Sequence, residues 1–271
     1  MKKILPVIVL YRIRLSDAAS FRTLLQQHGV EEFVVYDNSP ADFTQEDVER
    51  NHPKAVYVRD VQNSGLPKAY NLAAEVAQQR GFSRLLLLDQ DTEFPPEAWR
   101  LYHEHADFSG ITAPRVVSIA GVAFSPYCPS LLHRSPKGAF SGFTSLRRML
   151  VINSGMSVPV SLFLRVDGYD ERVFLDFADF EFQKKLRGEN DALCILPFAA
   201  VQDCSDDCRE KEKVMKRFKI YLRCAQHCRQ TTWGEKVSLR FRVLRHTLSL
   251  SLRTRSFSFL LLYLKTPLSV S

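Results

Sequence analysis

No apolar run in the 271-residue sequence is long enough to cross a bilayer as a helix. Such a helix needs about 20 apolar residues, and the nearest candidate, residues 257–264, is far shorter. The amino-terminal apolar run, residues 4–10, contains Pro6, is followed by Arg12 and Arg14, and lacks the small-residue cleavage site of a secretion signal. These absences predict a cytoplasmic protein that is at most peripheral, on the inner face of the cell membrane.

Cysteine is also sparse, with six residues, and its spacing matches no common zinc motif. The pairs Cys204/Cys208 and Cys224/Cys228 are each four residues apart, which would place both thiols of a pair on one helix face. A zinc site that includes His227 is one hypothesis. The default interpretation is a set of reduced, buried thiols.

Positive charge is concentrated at the carboxyl-terminal end. Residues 209–271 carry 15 Lys and Arg against 3 Glu, a net of +12, so the total of +7 leaves −5 on residues 1–208. Residues 1–208 and 209–271 are therefore predicted to be a catalytic domain and a basic helical extension. The basic segment has no base-reading pattern, which predicts no nucleic-acid partner. Its leucines and spaced arginines suit either a helix on an anionic membrane or a solvated basic face over a packed leucine stripe.

Apolar runs and helical segments alternate through the first 94 residues. The predicted strands are residues 5–10, 32–36, 54–59 and 85–88. The predicted helices are residues 17–28, a short piece within 40–52, and a helix that opens at the glycine loop of residues 63–65 and continues through residue 79. This alternation predicts an α/β fold with a doubly wound, mostly parallel sheet and helices on both faces. We assign residues 1–94 to a nucleotide-binding half and residues 95–208 to an acceptor half.

The most informative stretch is Leu85 to Phe94, LLLLDQDTEF. Four leucines predict a strand buried on both faces, and the chain then delivers Asp89 and Asp91 to the carboxyl end, where open α/β sheets bind ligands. Because side chains alternate along a strand, the two carboxylates lie on one side. Two such oxygen ligands suit Mg²⁺ or Mn²⁺, although a polar strand exit would have the same local pattern.

Other polar residues stand at the same predicted edge. Asp37 directly follows the second predicted strand, where it either binds a ligand or stabilises a turn. The loop Asn63-Ser64-Gly65 opens the helix that carries Asn71, and a glycine loop at a helix start directs backbone N–H groups toward an anion. These residues, with the aspartate pair, predict a nucleotide site.

A second block, residues 151–187, contains the bend Asn153-Ser154-Gly155 and a run of carboxylates. Ser161 is predicted to cap a short helix, and a second helix is predicted to start at Asp179. A helix-start aspartate near a sugar hydroxyl could act as a general base, or it could be only a capping residue. Asp176 and Glu181 flank it.

These blocks, taken in order, resemble the family 2 glycosyltransferases, most closely the rhamnosyltransferase-like branch. The pieces that carry the resemblance are VVYDNS, the run from Asn63 to Asn71, LLLLDQDTEF, INSGM and GYDERVFLDFADFEF, which together span most of residues 5–187. The resemblance implies a GT-A (Rossmann-like) fold, a nucleotide-sugar donor and transfer with inversion to a glycan or glycolipid acceptor.

The resemblance also implies roles for individual residues. Asp37 would contact the donor base, Asp89 the ribose, and Asp91 the metal, while Asp179 would be the catalytic base with Glu181 supporting it. The nucleotide sugar would also be contacted by Asn63, Gly65 and Asn71. Supporting positions in the site would be taken by Asp176 and Asn153.

Two positions depart from the family pattern. The family's histidine element after the base is replaced by Val201-Gln202-Asp203-Cys204, so Asp203 is the candidate to join Asp89 and Asp91 around the metal. The helix after the base has Gln183-Lys184-Lys185, where the family favours a small residue and an arginine.

The sequence therefore predicts a metal-dependent glycosyltransferase that acts on a cell-surface polysaccharide precursor or lipid-linked glycan. The expected donor is dTDP-rhamnose, with UDP-sugars as the alternative. Two other classes are a nucleotidyltransferase, which would need a glycine-rich loop that VIVLYRIRLSD lacks, and a non-catalytic carbohydrate-binding relative, which the three retained aspartates disfavour.

Overall fold

Four parallel strands form the amino-terminal half of the computed structural model, which describes residues 3–128, 140–203 and 210–268. The strands are β1 (Ile4–Leu10), β2 (Val34–Asp37), β3 (Val56–Arg59) and β4 (Arg84–Asp89). Helices α1 (Val48–Asn51) and α2 (Leu66–Gln79) lie between them in the chain. The leucines of β4 have no exposed surface, as expected of a strand covered on both faces.

The rest of the described chain extends this sheet and adds six helices. The further strands are β5 (Thr92–Glu93), β6 (Ile111–Ser118), β7 (Ala123–Ser125), β8 (Gly142–Ser145), β9 (Ser157–Pro159) and β10 (Ala192–Gln202). The further helices are α3 (Ala98–Glu104), α4 (Val160–Arg165), α5 (Ala178–Glu189), α6 (Lys211–His227), α7 (Trp233–Arg253) and α8 (Ser258–Lys265).

The sheet runs in the order β3-β2-β1-β4-β9-β6-β10-β5, with β7 beside β6 and β8 beside β10. Strands β3, β2, β1 and β4 pair in parallel, as do β6 and β10, whereas β9 is antiparallel to both of its neighbours. One hydrophobic cluster packs α2, α4, α5 and the helices α6 to α8 on one face of the sheet, and a second packs α3 on the other. The predicted α/β class with helices on both faces is confirmed, and the amino-terminal strands are parallel as predicted, while the later strands make the sheet mixed.

Arg84 joins the two halves of the sheet from an unexpected buried position. Its side chain is 1% exposed, and its guanidinium donates to the carbonyl oxygens of Phe108, Gly110 and Ser157 and to the Ser157 hydroxyl. Because a buried charge is tolerated only when it is well hydrogen-bonded, this arginine has a structural role in fixing β4 against β9.

The predicted helix over residues 17–28 is wrong in its form. The chain makes a 3₁₀ turn at Leu15–Asp17 and then a π-helical segment at Phe21–Gln26. Between them the Ala19 N–H donates to the carbonyl of Gln90, at 2.7 Å. This tertiary hydrogen bond replaces one that a continuous helix would make, and it ties the segment to the aspartate pair.

One smaller prediction also fails locally, because helix α4 begins after Pro159 and Ser161 makes no capping hydrogen bond. Pro114 lies within β6, and the register of β10 shifts between Ile195 and Ala199, beside the proline. A proline has no N–H to donate to a neighbouring strand, so the irregularity falls on the partner.

The basic extension packs onto the domain through its apolar side. Phe218, Val243 and Phe259, from α6, α7 and α8, are buried in the same hydrophobic cluster as the sheet. The predicted boundary after residue 208 and the cysteines 204 and 208 lie outside the described residues, while Cys224 and Cys228 are buried free thiols. Within the described ranges, no helix has the length and apolar character required to span a membrane.

Candidate active site

A cleft of about 1010 Å³ opens at the carboxyl ends of β1 and β4. Its walls come from the carboxyl ends of β1, β2, β4 and β10, from the loop before α2, from residues 174–175 and from helix α6. The residues that line it and matter below are Asn38, Asn63, Gly65, Asp89, Asp91, Gln202, Asp203, Lys213, Lys216 and Arg217. The edge at which the sequence predicts a nucleotide site therefore carries a cleft.

A second cavity of about 550 Å³ adjoins this cleft. Asp89 and Arg217 line both spaces, so the two meet at the end of β4. Asn153, Asp176 and Asp179 line only the smaller cavity among these two. The smaller cavity is therefore lined by both Asp89 and Asp179, although about 90 residues separate them in the chain.

Asp89 is held by side chains from three elements. Its carboxylate accepts hydrogen bonds from the hydroxyl of Ser154, from Tyr70 at 3.5 Å and from the Gln202 amide at 3.4 Å. Burial, and then the nearby charge of Asp91, raise the pKa of Asp89 to about 6. Removing water from a carboxylate disfavours its charged form, so a cationic ligand would stabilise this site.

Gln202 is a contact residue that our sequence analysis did not predict. It ends β10, and its amide donates to Asp91 Oδ1 at 3.0 Å as well as to Asp89. The side chain of Asp203 is exposed at the cleft, and its backbone N–H donates to the carbonyl of Asp91 at 3.3 Å. The sequence signal that could have identified Gln202 is a polar residue at the end of a long apolar strand, which is the same signal that identified Asp89.

The described residues contain no group of three or more His, Cys, Asp or Glu side chains placed to hold a metal. What is present is a pair of carboxylates, Asp89 and Asp91, whose pKa values are both raised, chiefly by burial. Mg²⁺ is commonly held by one or two carboxylates together with substrate phosphates. The donor set therefore fits a cation that binds jointly with a diphosphate.

Asp179 lies in the first turn of α5. Its Oδ1 accepts the backbone N–H of Phe180 at 2.8 Å, and burial raises its pKa to about 7. Two residues earlier, Phe177 has a left-handed backbone with φ of 68°, a conformation uncommon for a bulky side chain. A carboxylate with a pKa near neutrality is suited to proton transfer.

Asp37 does not reach the cleft. It has no exposed surface, and its carboxylate is occupied by Arg59 at 2.8 Å, by the Tyr57 hydroxyl at 3.0 Å and by the Ser39 N–H at 2.9 Å. The neighbouring Asn38 lines the cleft, and among the described residues its buried Oδ1 has no hydrogen-bond partner. At this edge of the sheet, Asn38 therefore offers a ligand a free acceptor oxygen, whereas Asp37 does not.

Three other residues predicted for the site form hydrogen bonds or an ion pair within the protein: Asn71, Glu181 and Asp176. Asn71 is bound to the loop after α4, where its amide donates to the Tyr169 carbonyl at 3.0 Å and accepts the Tyr169 N–H at 2.8 Å. Glu181 points to a groove on another side and accepts the Arg229 N–H at 2.9 Å. Asp176 lines the smaller cavity in an ion pair with Arg217. Asn71 and Glu181 are therefore not brought together with the aspartate pair.

The carboxyl-terminal helices supply a wall that we did not predict. Lys213, Lys216 and Arg217 of α6 line the cleft, and Arg242 and Arg245 of α7 line the smaller cavity. Periodicity in the sequence predicted amphipathic helices here, but it could not show which residues would face the site.

The chain is similar to known glycosyltransferases in sequence and in fold. A family model described as Glycosyl transferase family 2 matches residues 18–155. The curated dTDP-rhamnosyl transferase RfbF of Shigella flexneri is 24% identical over 180 residues, which is 65% of this chain and 60% of that protein. The chain thus matches less than two thirds of the length of this relative.

Solved structures share the fold at low identity. S. aureus TarS (residues 1–349) in complex with UDP has a TM-score of 0.52 and 16% identity, over 94% of this chain and 74% of that chain. GalNAc-T7 with UDP, GalNAc and Mn²⁺ has a TM-score of 0.54 and 13% identity, over 93% of this chain and 57% of that chain. These likenesses confirm the GT-A-type fold. Because the family model covers half of the chain, including β2 to β4 and the Asp89–Asp91 pair, the chain belongs to glycosyl transferase family 2.

Proposed function

We propose that the protein transfers a sugar from a nucleotide-sugar donor to a hydroxyl group of a cell-surface glycan precursor, with inversion at the anomeric carbon. The observation that carries this proposal is the shared cavity of Asp89 and Asp179, which opens into the larger cleft at Asp89. A donor in the cleft would present its anomeric carbon toward the smaller cavity, and an acceptor there would lie beside Asp179.

In this proposal the cleft binds the nucleotide diphosphate. Lys213, Lys216 and Arg217 provide positive charge along one wall, which favours a diphosphate. An amide oxygen at Asn38 and its amide N–H₂ group complement the alternating donor and acceptor groups of a uracil or thymine edge. The RfbF relative supports dTDP-rhamnose as the first donor to test, and UDP-sugars are the alternative.

The chemical step requires one proton transfer and one displacement. The acceptor hydroxyl gives its proton to Asp179 as its oxygen bonds to the anomeric carbon, and the bond from that carbon to the diphosphate oxygen breaks. Asp91, with Asp89 beside it, would hold Mg²⁺ or Mn²⁺ against the diphosphate. When bound, the cation would supply neutralising charge for the leaving group.

The proposal is tested by incubating the purified full chain with dTDP-rhamnose and a panel of UDP-sugars, with and without Mg²⁺ or Mn²⁺. We expect nucleotide diphosphate release with one donor, and loss of that release in EDTA. Binding and turnover of no donor would contradict the transferase assignment. Undiminished turnover in EDTA would contradict only the metal, because the basic wall of the cleft could then neutralise the diphosphate alone.

We also propose that α7 and α8 contact an anionic membrane surface on the inner face of the cell membrane. Large apolar side chains recur along the outer side of α7, where Trp233, Phe241 and Leu252 are exposed by 79%, 43% and 79%. Leu261 and Leu264 of α8 are exposed by 57% and 70%. Large exposed apolar residues in a segment of net charge +12 fit an interfacial helix with an acidic lipid partner.

The Phe241→Ser, Leu252→Ser double variant should bind vesicles containing phosphatidylglycerol at least about tenfold more weakly than wild type, because burying one large apolar side chain is worth about 1.5–3 kcal/mol. Vesicle co-sedimentation measures this loss. The control is Ile119→Ser, which removes an apolar side chain outside these helices that is 74% exposed. Equal sedimentation of wild type and the double variant would contradict the membrane contact.

A further inference from the structure

Two arginines of α7 stand beside the proposed base. The Arg242 guanidinium lies over the ring of Phe180, with its central carbon 4.5 Å from the ring centroid. Phe180 directly follows Asp179, so Arg242 lies at the part of the cavity where the acceptor hydroxyl must react. Arg245, one turn further along α7, lines the same cavity and is exposed.

Arg242 makes no close ion pair among the described residues, although the carboxylate of Asp179 interacts with it electrostatically. Its Nε is buried without a hydrogen-bond partner, and neither Arg242 nor Arg245 forms an ion pair in the described ranges. Burial lowers the pKa of Arg242, which reflects the cost of keeping this cation away from water. A guanidinium in such a place is stabilised when an anion joins it.

The donor diphosphate has its own cations. Lys213, Lys216 and Arg217 line the cleft, whereas Arg242 and Arg245 line the smaller cavity and not the cleft. Arg217 stands between the two spaces and is paired with Asp176. The α7 arginines are therefore placed to bind a second anion, on the acceptor side of Asp89.

We propose that the acceptor is anionic, with a phosphate or carboxylate group next to the reacting sugar, and that Arg242 and Arg245 bind that group. The planar fork of an arginine matches either group through paired N–H donors. This inference rests on the proposed transferase function and names the substrate class of its acceptor cavity. The anion would anchor the acceptor on the α7 side while its hydroxyl faces Asp179.

The test uses the full chain saturated with whichever of UDP or dTDP it binds, and three small probes: glucose 1-phosphate, glucuronate and methyl α-glucoside. Calorimetry should give a Kd for at least one anionic probe about tenfold or more below that of the neutral glucoside. The two anionic probes distinguish phosphate from carboxylate. Arg242→Gln and Arg245→Gln should each abolish most of this preference for the anionic probe. Arg242→Lys keeps the positive charge and should retain part of the preference.

The control is Arg240→Gln, which removes an exposed arginine of the same helix that lines neither space. Nucleotide affinity should be unchanged in all these variants. Equal binding of charged and neutral probes, or an undiminished preference in the exposed-site variant Arg245→Gln, would overturn the inference. Weaker nucleotide binding in Arg242→Gln would reassign the arginine to the donor. Failure of the wild type to bind either nucleotide would instead count against the proposed function.

Discussion

The Asp179→Asn substitution is expected to lower sugar transfer about 1000-fold while leaving donor affinity unchanged, because general-base catalysis contributes about 10²–10⁴ in rate. Asp179 lines only the acceptor-side cavity, whereas the donor cleft is lined by other residues. An amide has nearly the same shape as the carboxylate and can still accept the Phe180 N–H. It cannot take the acceptor proton at neutral pH. Initial rates and calorimetric donor binding measure the two effects separately.

The pH dependence of the wild type follows from the same group. Burial raises the pKa of Asp179 to about 7, and only the deprotonated form can accept a proton. Transfer should therefore rise with pH below about 7 and level off above it. The residual activity of the Asn variant should lack this rise. A variant that keeps more than about a tenth of wild-type activity would place the base elsewhere, and one that loses donor binding as well would make Asp179 a structural residue.

Stability should change in the opposite direction to activity. Because the folded-state pKa of Asp179 lies above the ordinary value of 3.8, the folded protein binds more protons than the unfolded chain between these two values. The free energy of unfolding then falls as pH rises through that window. Asp179→Asn removes this loss, so it should be more stable than wild type at pH 8, by at most about 4 kcal/mol, and no more stable below pH of about 3.

Asp170→Asn provides a control of opposite sign. Arg172 lowers the pKa of Asp170, so ionised Asp170 stabilises the fold above its ordinary pKa and this stabilisation is lost as pH falls. The Asn variant should be slightly less stable than wild type at pH 8, with little change in transfer. Urea denaturation at several pH values compares the two. A stability gain in both variants would contradict the assignment of the effect to burial of Asp179.

Local signals predicted the nucleotide half of the fold well. The four leucines before Asp89 and the Gly65-Leu66-Pro67 start of α2 indicated elements whose positions the structure confirms. Helix α2 follows the glycine loop and ends at Gln79, as predicted, because Gly81 after its end limits it from the sequence alone. Such elements depend on neighbours in the chain, so the sequence contains what determines them.

The site contacts that the sequence could not show depend on how distant parts of the chain pair with one another. Whether Asp37 faces a ligand depends on Arg59, which neutralises it from the next strand. Whether Gln202 or Asp203 contacts the aspartate pair depends on β10 lying beside β5, a pairing across more than 100 residues. The facing direction of Arg242 depends on how α7 packs. Alternation and periodicity predict faces of elements, but they do not predict which other element covers each face.

The Gly65→Ala substitution should damage both stability and donor binding. Gly65 precedes α2 with φ of 95° and ψ of 177°, a backbone region that is essentially restricted to glycine. A Cβ there would lie 2.3 Å from the carbonyl oxygen of Phe174 and 2.7 Å from its ring. Phe174 cannot yield easily, because its carbonyl accepts the Leu66 N–H at 3.2 Å.

This contact joins the two halves of the site. Gly65 and Phe174 both line the donor cleft, and Leu175, the next residue, lines the cleft and the acceptor cavity. An alanine at position 65 must therefore displace the segment that leads to Asp176 and Asp179. We expect a loss of about 3 kcal/mol in the free energy of unfolding, and donor affinity at least about tenfold lower, since a contact shift of this kind costs more than about 1.4 kcal/mol.

Gly81→Ala is the matched control, because Gly81 follows the other end of α2. Its φ of 70° is also left-handed, but a Cβ added there would have no atom within 4 Å beyond its chain neighbours. The Gly81→Ala variant should lose only about 1–2 kcal/mol in the free energy of unfolding, which is the cost of a left-handed backbone for alanine. It should keep its donor affinity. Urea denaturation and calorimetry give both quantities. Equal losses in the two variants would show that backbone conformation alone, and not the contact with Phe174, makes glycine necessary at position 65.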